Sequence, residues 1–273
     1  MVAKLGIIAG GGTLPLRLLE KCNAIGRPVC LIALKDQVDA SLFVDYEYEM
    51  VRIGAAGRAI EILKDNNVTE IVMAGHVKRP NIASLRPDVK ALKVLAKSGA
   101  MALGDDGLLK AVIKYLENDE GFKVVSVDSI LGSDDLAPGA LGDISPDEKA
   151  HKDILRGIDV LKIMGPADIG QAVIVQDELV LGVEAVEGTA ALLDRCKTLK
   201  RDTKGGVLIK IRKPGQEMRI DMPTIGPDTI RQAIDTGLDG IAIDAGGMII
   251  LDKEDTIQLA NQAGLFIYAV HVD

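Results

Sequence analysis

A chain of 273 residues with 48% hydrophobic and 26% charged side chains has an ordinary globular composition and is long enough for two domains, each with its own core. A net charge of −8, 3% aromatic residues and no tryptophan exclude a general nucleic-acid binder, which would need a basic face or stacking platforms, so any phosphate site must be local. Three cysteines, Cys22, Cys30 and Cys196, are odd in number and lack metal-ligand spacing; they read as core thiols in a reducing cytosol.

The opening MVAKLG runs straight into a strand, so no signal peptide is expected, and no apolar run approaches the ~18 residues of a membrane span. Strand signals at 5–10, 28–34, 68–74 and 122–127 alternate with helical spacing at 14–25, 57–66, 88–98 and 107–118, which calls for a parallel sheet covered by helices. Gly10, Gly11 and Gly12 fall in the first strand-to-helix turn. Backbone N–H groups there, with the positive end of the helix dipole, make a site for a phosphate oxygen. A merely tight turn would also account for the glycines. Pro15 stands where a dinucleotide fingerprint needs its third glycine, although Asp36 follows the second strand as that fingerprint's acid would.

The strand at 68–74 runs into VMAGHVKRP, which brings Gly75, His76, Lys78 and Arg79 to the carboxyl end of the sheet. The basic pair would neutralise phosphate there, or form a solvated turn stopped by Pro80. In LGDDGLLK, Asp105 and Asp106 precede a helix, either as its N-terminal charge complement or as ligands for a hard cation.

Glycines, prolines, acids and serines then break the alternation over 128–147, as a linker would, which divides the chain into a domain at 1–132, a linker at 133–147 and a second domain at 148–273. The second domain is expected to hold helices at 148–164, 189–200, 227–236 and 253–263. Strands are expected at 171–176, 179–184, 206–211 and 266–271, with short ones between 240 and 251. Ser145-Pro146-Asp147-Glu148 reads as an N-cap with proline at the first helical position. The fold class is therefore α/β: an N-terminal Rossmann-like parallel-sheet domain plus a second α/β domain, with the cleft between them as the default ligand site. Gln171, Glu184, Glu187, Thr189, Lys213, Gln216, Arg219 and Asp221 cluster at strand ends and in loops bounded by glycine and proline. Taken singly, Thr189 suits an N-cap and Lys213 with Glu217 a surface ion pair.

In order along the chain, GIIAGGGTLP, MAGHVKRP, GDDGLL, DIGQAVIV, VEAVEGT, KPGQEMRIDMPTIGP and AGLFIYAV resemble the LpxI type of UDP-2,3-diacylglucosamine pyrophosphatase, from the lipid A pathway of Gram-negative bacteria. The resemblance spans almost the whole chain. It implies two domains with the active site between them, and Mg²⁺ (or Mn²⁺) dependent hydrolysis of the substrate to UMP and 2,3-diacylglucosamine 1-phosphate, with water attacking the β-phosphorus. On this reading Asp221 is the family's important carboxylate, a metal ligand or water-orienting base, with Asp105 and Asp106 as its partners on the metal. Gly11, Gly12 and Thr13 offer backbone donors, Lys78 and Lys213 neutralise phosphate, and Gly75, Val77, Arg79, Gln171 and Thr189 complete the substrate contacts. Ala190 departs from the family, which commonly has an acid after E-G-T. A lipid-linked nucleotide sugar as partner also implies an apolar chamber for two acyl chains, domain motion, a cytoplasmic location with transient contact at the inner membrane, and a homodimer. A nicotinamide-dependent oxidoreductase and a non-catalytic nucleotide-sugar binder are the rival readings.

Overall fold

The computed structural model describes residues 2–78, 85–98, 105–132, 136–201, 204–213, 217, 219 and 222–272. It divides into a first unit, Met1–Ser133 with Glu217–Asp221, and a second, Asp134–Gln216 with Met222–Asp273.

In the first unit the short run Leu5–Ala9 (β1) buries Leu5, Ile7 and Ala9 completely and becomes the central strand. It pairs in parallel with Val29–Leu34 (β2) on one side and Glu70–Ala74 (β4) on the other. Tyr48–Val51 (β3) and Lys123–Val124 (β5) complete a five-stranded sheet in the order β3-β2-β1-β4-β5, every pair parallel. This is the parallel sheet expected from the alternation of strand and helix signals. β3 was not expected. Glu49 and Met50 are exposed on this edge strand, so it lacks the apolar run that marks the interior strands.

The helices Ala56–Asp65, Val89–Ser98 and Asp105–Asn118 share one apolar core with β2, β4 and β5, built on Ile32, Leu63, Ile71, Val94, Ile113 and Val124. Each such side chain contributes roughly 1.5–3 kcal/mol by burial. The helix Leu14–Ala24 buries Pro15, Leu18, Leu19 and Cys22 and packs on the short helix Asp128–Leu131. A carboxylate draws three helices together at their ends: Glu120 accepts hydrogen bonds from Lys64 (2.6 Å), Lys90 (2.7 Å) and the Tyr115 hydroxyl (2.8 Å).

The second unit carries a six-stranded mixed sheet in the order Gly139–Ala140 (β6), Phe266–Val270 (β13), Gly240–Asp244 (β11), Val207–Lys210 (β9), Ala172–Gln176 (β7) and Leu179–Val183 (β8). Val207–Lys210 (β9), Gly240–Asp244 (β11) and Phe266–Val270 (β13) run in parallel. Ala172–Gln176 (β7) and Leu179–Val183 (β8) form a hairpin antiparallel to β9. Its two turn residues, Asp177 and Glu178, have φ of 55° and 60°, the primed geometry that suits a two-residue hairpin loop. Asp153, 1% exposed on the helix Glu148–Met164, accepts both turn amides, at 3.3 Å and 2.6 Å. Gly139–Ala140 (β6), within the stretch expected as a linker, pairs antiparallel with β13, and Thr224–Ile225 (β10) pairs with Ile249–Ile250 (β12).

Two local expectations are corrected. The cap of the helix Glu148–Met164 is Asp147, whose carboxylate accepts from the Ala150 amide at 2.7 Å, so Pro146 lies before the helix rather than in its first turn. The helix expected over 189–200 ends at Cys196, and Lys200 instead donates to the Thr236 and Gly237 carbonyls at the end of the helix Pro227–Thr236.

Burial alone would raise the pKa of Glu120, but hydrogen bonds from Lys64, Lys90 and Tyr115 outweigh it and hold the carboxyl at about 2; burial, with Glu120 beside it, pushes Tyr115 up to about 12. A carboxyl depressed from 4.5 contributes stability above that pH and loses it as pH falls toward about 2. Glu120→Gln should therefore cost about 2 kcal/mol at pH 7. In urea denaturation that deficit should shrink steadily below pH 4.5. A deficit independent of pH would show that the ion pairs are not its source.

Candidate functional site

The strand order of the first unit reverses direction between β1 and β4, and in open parallel sheets ligands bind outside the carboxyl ends of the strands at such a switch point. The glycine turn follows β1 and the Gly75 loop follows β4, so both sit there. The two loops are also stitched together. Gly10 N–H donates to the Ala74 carbonyl (2.8 Å), Gly11 N–H to the His76 carbonyl (2.8 Å), and His76 N–H back to the Gly11 carbonyl (3.0 Å). A Cβ at Gly11 would lie 2.5 Å from the His76 ring, and one at Gly75 would lie 2.5 Å from the Gly11 carbonyl oxygen. Close approach of two backbones thus accounts for Gly75 and for Gly10, whose Cβ would lie 2.6 Å from the His76 carbonyl oxygen, while at Gly11 the obstacles are the His76 ring and the Gln37 carbonyl oxygen.

The consequence for anion binding is specific. Gly11's amide is committed to His76, whereas the amides of Gly12 and Thr13 have no acceptor among the described residues and are exposed at the N-terminus of the helix Leu14–Ala24. The Thr13 side chain makes no cap hydrogen bond. Donors of this kind on a helix dipole suit a phosphate oxygen. Val77 and Lys78 are exposed beside them, and the Lys78 amide donates to Gln37 Oε1 at 2.7 Å. Gln37, in the loop after β2, draws a third strand end to the same place. Arg79 lies outside the described residues.

In the second unit, β7 runs against β9, so its start and the ends of β8, β9 and β11 meet at one edge of the sheet. Glu184, 5% exposed, accepts from the Gln171 amide (2.9 Å) and the Thr189 hydroxyl (2.7 Å). Lys210, 7% exposed, donates to Thr189 Oγ1 (3.1 Å) and to the Thr224 carbonyl (3.0 Å). Lys213 pairs with Asp168 at 2.5 Å rather than with Glu217. Glu217 takes Arg219 instead, whose hydrogen bonds hold its carboxyl below the usual range. Arg219 also reaches Glu117 at 2.8 Å within the first unit. Buried Asp244 ends β11; Arg212 Nε lies 3.1 Å from its Oδ2 without the alignment of a hydrogen bond.

Of the expected site residues, the structure gathers Gly11, Gly12, Thr13, Gly75, Val77 and Lys78 at the switch point of the first unit. It gathers Gln171, Thr189 and Lys213 at one sheet edge of the second. Asp221 lies outside the described residues, as do the side chains of Asp105 and Asp106. Among the described residues no three His, Cys, Asp or Glu side chains form a group that could hold a metal ion. Sequence reasoning missed Gln37, Asp168, Lys210, Arg212 and Asp244. A lysine inside the apolar run VLIKI and an acid closing GIAID were the signals for two of them.

These features define a two-domain α/β protein with a glycine turn at a topological switch point and a buried polar network at the edge of its second sheet. The LpxI N-terminal domain family matches residues 4–133, and the LpxI C-terminal domain family matches residues 137–268. The UDP-2,3-diacylglucosamine pyrophosphatase LpxI of Caulobacter vibrioides is 40% identical over 274 residues, covering 98% of this chain and 97% of that protein. The chain belongs to the LpxI family. A solved N5-carboxyaminoimidazole synthase from Aspergillus clavatus overlaps 73% of this chain but only 44% of its own length, at 11% identity and a TM-score of 0.24, too weak a likeness to carry an argument.

Gly75 and Gly12 make a controlled comparison, because both have left-handed backbone, with φ of 91° and 87°, yet nothing lies nearer than 3.6 Å to a Cβ at Gly12. Gly12→Ala should cost about 1 kcal/mol. Gly75→Ala adds a collision with main-chain atoms and should cost about 3 kcal/mol. Equal losses in urea denaturation would show that the stitched contact of the two loops is not a close one.

Proposed function

We propose that this chain hydrolyses the pyrophosphate of UDP-2,3-diacylglucosamine. The observation that carries the reading is its 40% identity to the Caulobacter pyrophosphatase over nearly the whole of both chains. Water attacks the β-phosphorus: a new O–P bond forms, the bridging oxygen leaves with UMP, and the water's proton passes to a base. Asp221 is the base or the group that orients the water. The other product is 2,3-diacylglucosamine 1-phosphate.

The chain's own donors suit the charges involved. Free amides of Gly12 and Thr13 would hold pyrophosphate oxygens, with Lys78 and Lys213 neutralising their charge. Gly75, Val77, Arg79, Gln171 and Thr189 would contact the rest of the substrate. A divalent cation, Mg²⁺ or Mn²⁺, held by Asp105, Asp106 and Asp221, would supply further charge neutralisation. No helix among the described residues is long and apolar enough to cross a membrane. We place the protein in the cytoplasm of a Gram-negative cell as a homodimer that meets the inner membrane transiently to take up its lipid-linked substrate.

The test is hydrolysis in ¹⁸O-labelled water, for the wild type and Asp221→Ala, with and without a chelator. The wild type should release UMP and carry the label in 2,3-diacylglucosamine 1-phosphate. Loss of a positioned catalytic group should lower turnover by roughly 10²-fold or more. Chelation should abolish activity and added Mg²⁺ restore it. Label in UMP would overturn the site of attack, and turnover that survives chelation would overturn the metal. Because Ala190 is exposed in the first turn of the helix Gly188–Cys196, at the position where the family commonly has an acid, binding without turnover is the outcome that would make the protein a non-catalytic relative.

A further inference from the structure

Asp244 is a buried acid with one carboxylate oxygen unanswered. It closes β11 directly after Ile241, Ala242 and Ile243, all fully buried, and is itself 1% exposed. Its Oδ1 accepts from the Gly246 amide at 3.1 Å, while Oδ2 accepts no hydrogen bond. Carboxylates are almost never this buried unless paired. Among the described residues the cation at Oδ2 is Arg212, whose Nε lies 3.1 Å away but out of line for a hydrogen bond.

Arg212 is anchored on its inner side and open on its outer one. It follows β9 closely, where the Ile211 amide donates to the Gln171 carbonyl and fixes that strand end against the start of β7. The turn after β11 is fixed in the same way, its Ala245 amide donating to the Val270 carbonyl at the end of β13. Between these ends the guanidinium donates from Nη1 to the Gly246 carbonyl at 3.3 Å, yet the side chain is 41% exposed and Nη2 has no acceptor among the described residues. Gly246 leaves the space beside Nη2 clear. It is exposed and lacks left-handed backbone, and the nearest atom to a Cβ built there is Arg212 Nη2 at 4.0 Å. Neither backbone strain nor packing within the described chain requires glycine at this position, so a ligand can approach the guanidinium across it.

We infer that Arg212, oriented by Asp244 and the Gly246 carbonyl, is a phosphate-binding residue at the carboxyl ends of β9 and β11. Ligands of α/β sheets gather at such strand ends, and the planar fork of a guanidinium matches two oxygens of one phosphate group. Asp244 is too deeply buried to meet the ligand, so the guanidinium is the charge that a ligand encounters. That the phosphate belongs to the substrate rests on the function proposed above. A merely structural role, in which Arg212 only offsets the charge of Asp244, makes a different prediction, because a lysine would then serve as well.

The experiment titrates the full chain with UMP, glucosamine 1-phosphate and inorganic phosphate by calorimetry, alongside thermal melting. The proteins are the wild type, Arg212→Lys, and Arg212→Gln combined with Asp244→Asn, which leaves no unpaired buried carboxylate and safeguards folding. Lysine keeps a charge opposite Asp244 but loses the fork, so Arg212→Lys should melt close to the wild type while binding weakens by about tenfold or more, as loss of one charge-assisted hydrogen bond predicts. The double variant should bind as weakly. A loss confined to UMP assigns Arg212 to the nucleotide's phosphate, a loss confined to glucosamine 1-phosphate assigns it to the sugar's, and an equal loss for all three assigns it to the phosphate group whatever carries it. Unchanged affinity in Arg212→Lys for all three, or no binding of any of them by the wild type, overturns the proposal; should Arg212→Lys fail to fold, the double variant decides in the same way. Should the wild type fail to hydrolyse UDP-2,3-diacylglucosamine, the functional reading falls, and the titrations still decide whether Arg212 binds phosphate.

Discussion

Parallel pairing of β1 with β2 on one flank and β4 on the other is the constraint from which the first unit follows. Parallel strands cannot be joined by tight turns, so each connection must cross back through a helix, and every strand delivers its carboxyl end to the same edge. Reversal of the strand order beside β1 then leaves the glycine turn and the Gly75 loop facing each other. The reciprocal bonds between Gly11 and His76 draw the two backbones into contact, and at Gly10 and Gly75 only a residue without a Cβ tolerates that distance. One glycine of the turn makes this seam while the next leaves its amide to solvent. The same short sequence thus serves the fold and leaves backbone donors exposed at the N-terminus of a helix.

In the second unit the governing arrangement is the antiparallel hairpin set beside parallel strands. It brings the start of β7 to the ends of β8, β9 and β11, so polar groups far apart in sequence converge. Burying a glutamate and a lysine there is costly unless every polar atom is answered, and replacing such a pair with aliphatic residues is often neutral or stabilising. The hydroxyl of Thr189 lies at the centre of that arrangement rather than at the N-cap expected for it: the helix Gly188–Cys196 begins one residue earlier with Glu187 as its cap, and Thr189 donates to Glu184 instead.

How legible each feature was depended on whether its cause was local. Helices at 148–164, 227–236 and 253–263 fall where apolar periodicity and capping residues place them, because both act within a turn or two. β3, β6 and β10 escaped notice: each is four residues or fewer, and each is a strand only because a partner supplies its hydrogen bonds. The partner of Lys213 was misjudged for a similar reason. Glu217 is near in sequence, but Asp168 is the acid that the β7–β9 pairing brings alongside. Gln37 gave no signal at all, being an uncharged residue in a turn.

The sequence by itself determined the α/β class, the two sets of alternating elements, the glycine turn at the first strand and, through seven motifs in order, the family. Those properties rest on periodicity, turn chemistry and motif, which are written in neighbouring residues. Tertiary structure alone decided which glycine amide remains free, which acid answers which base, and that a lysine in an apolar strand reaches a carbonyl fourteen positions on. Such pairings depend on strand order and register, which arise from contacts between residues tens of positions apart, and no local pattern encodes them.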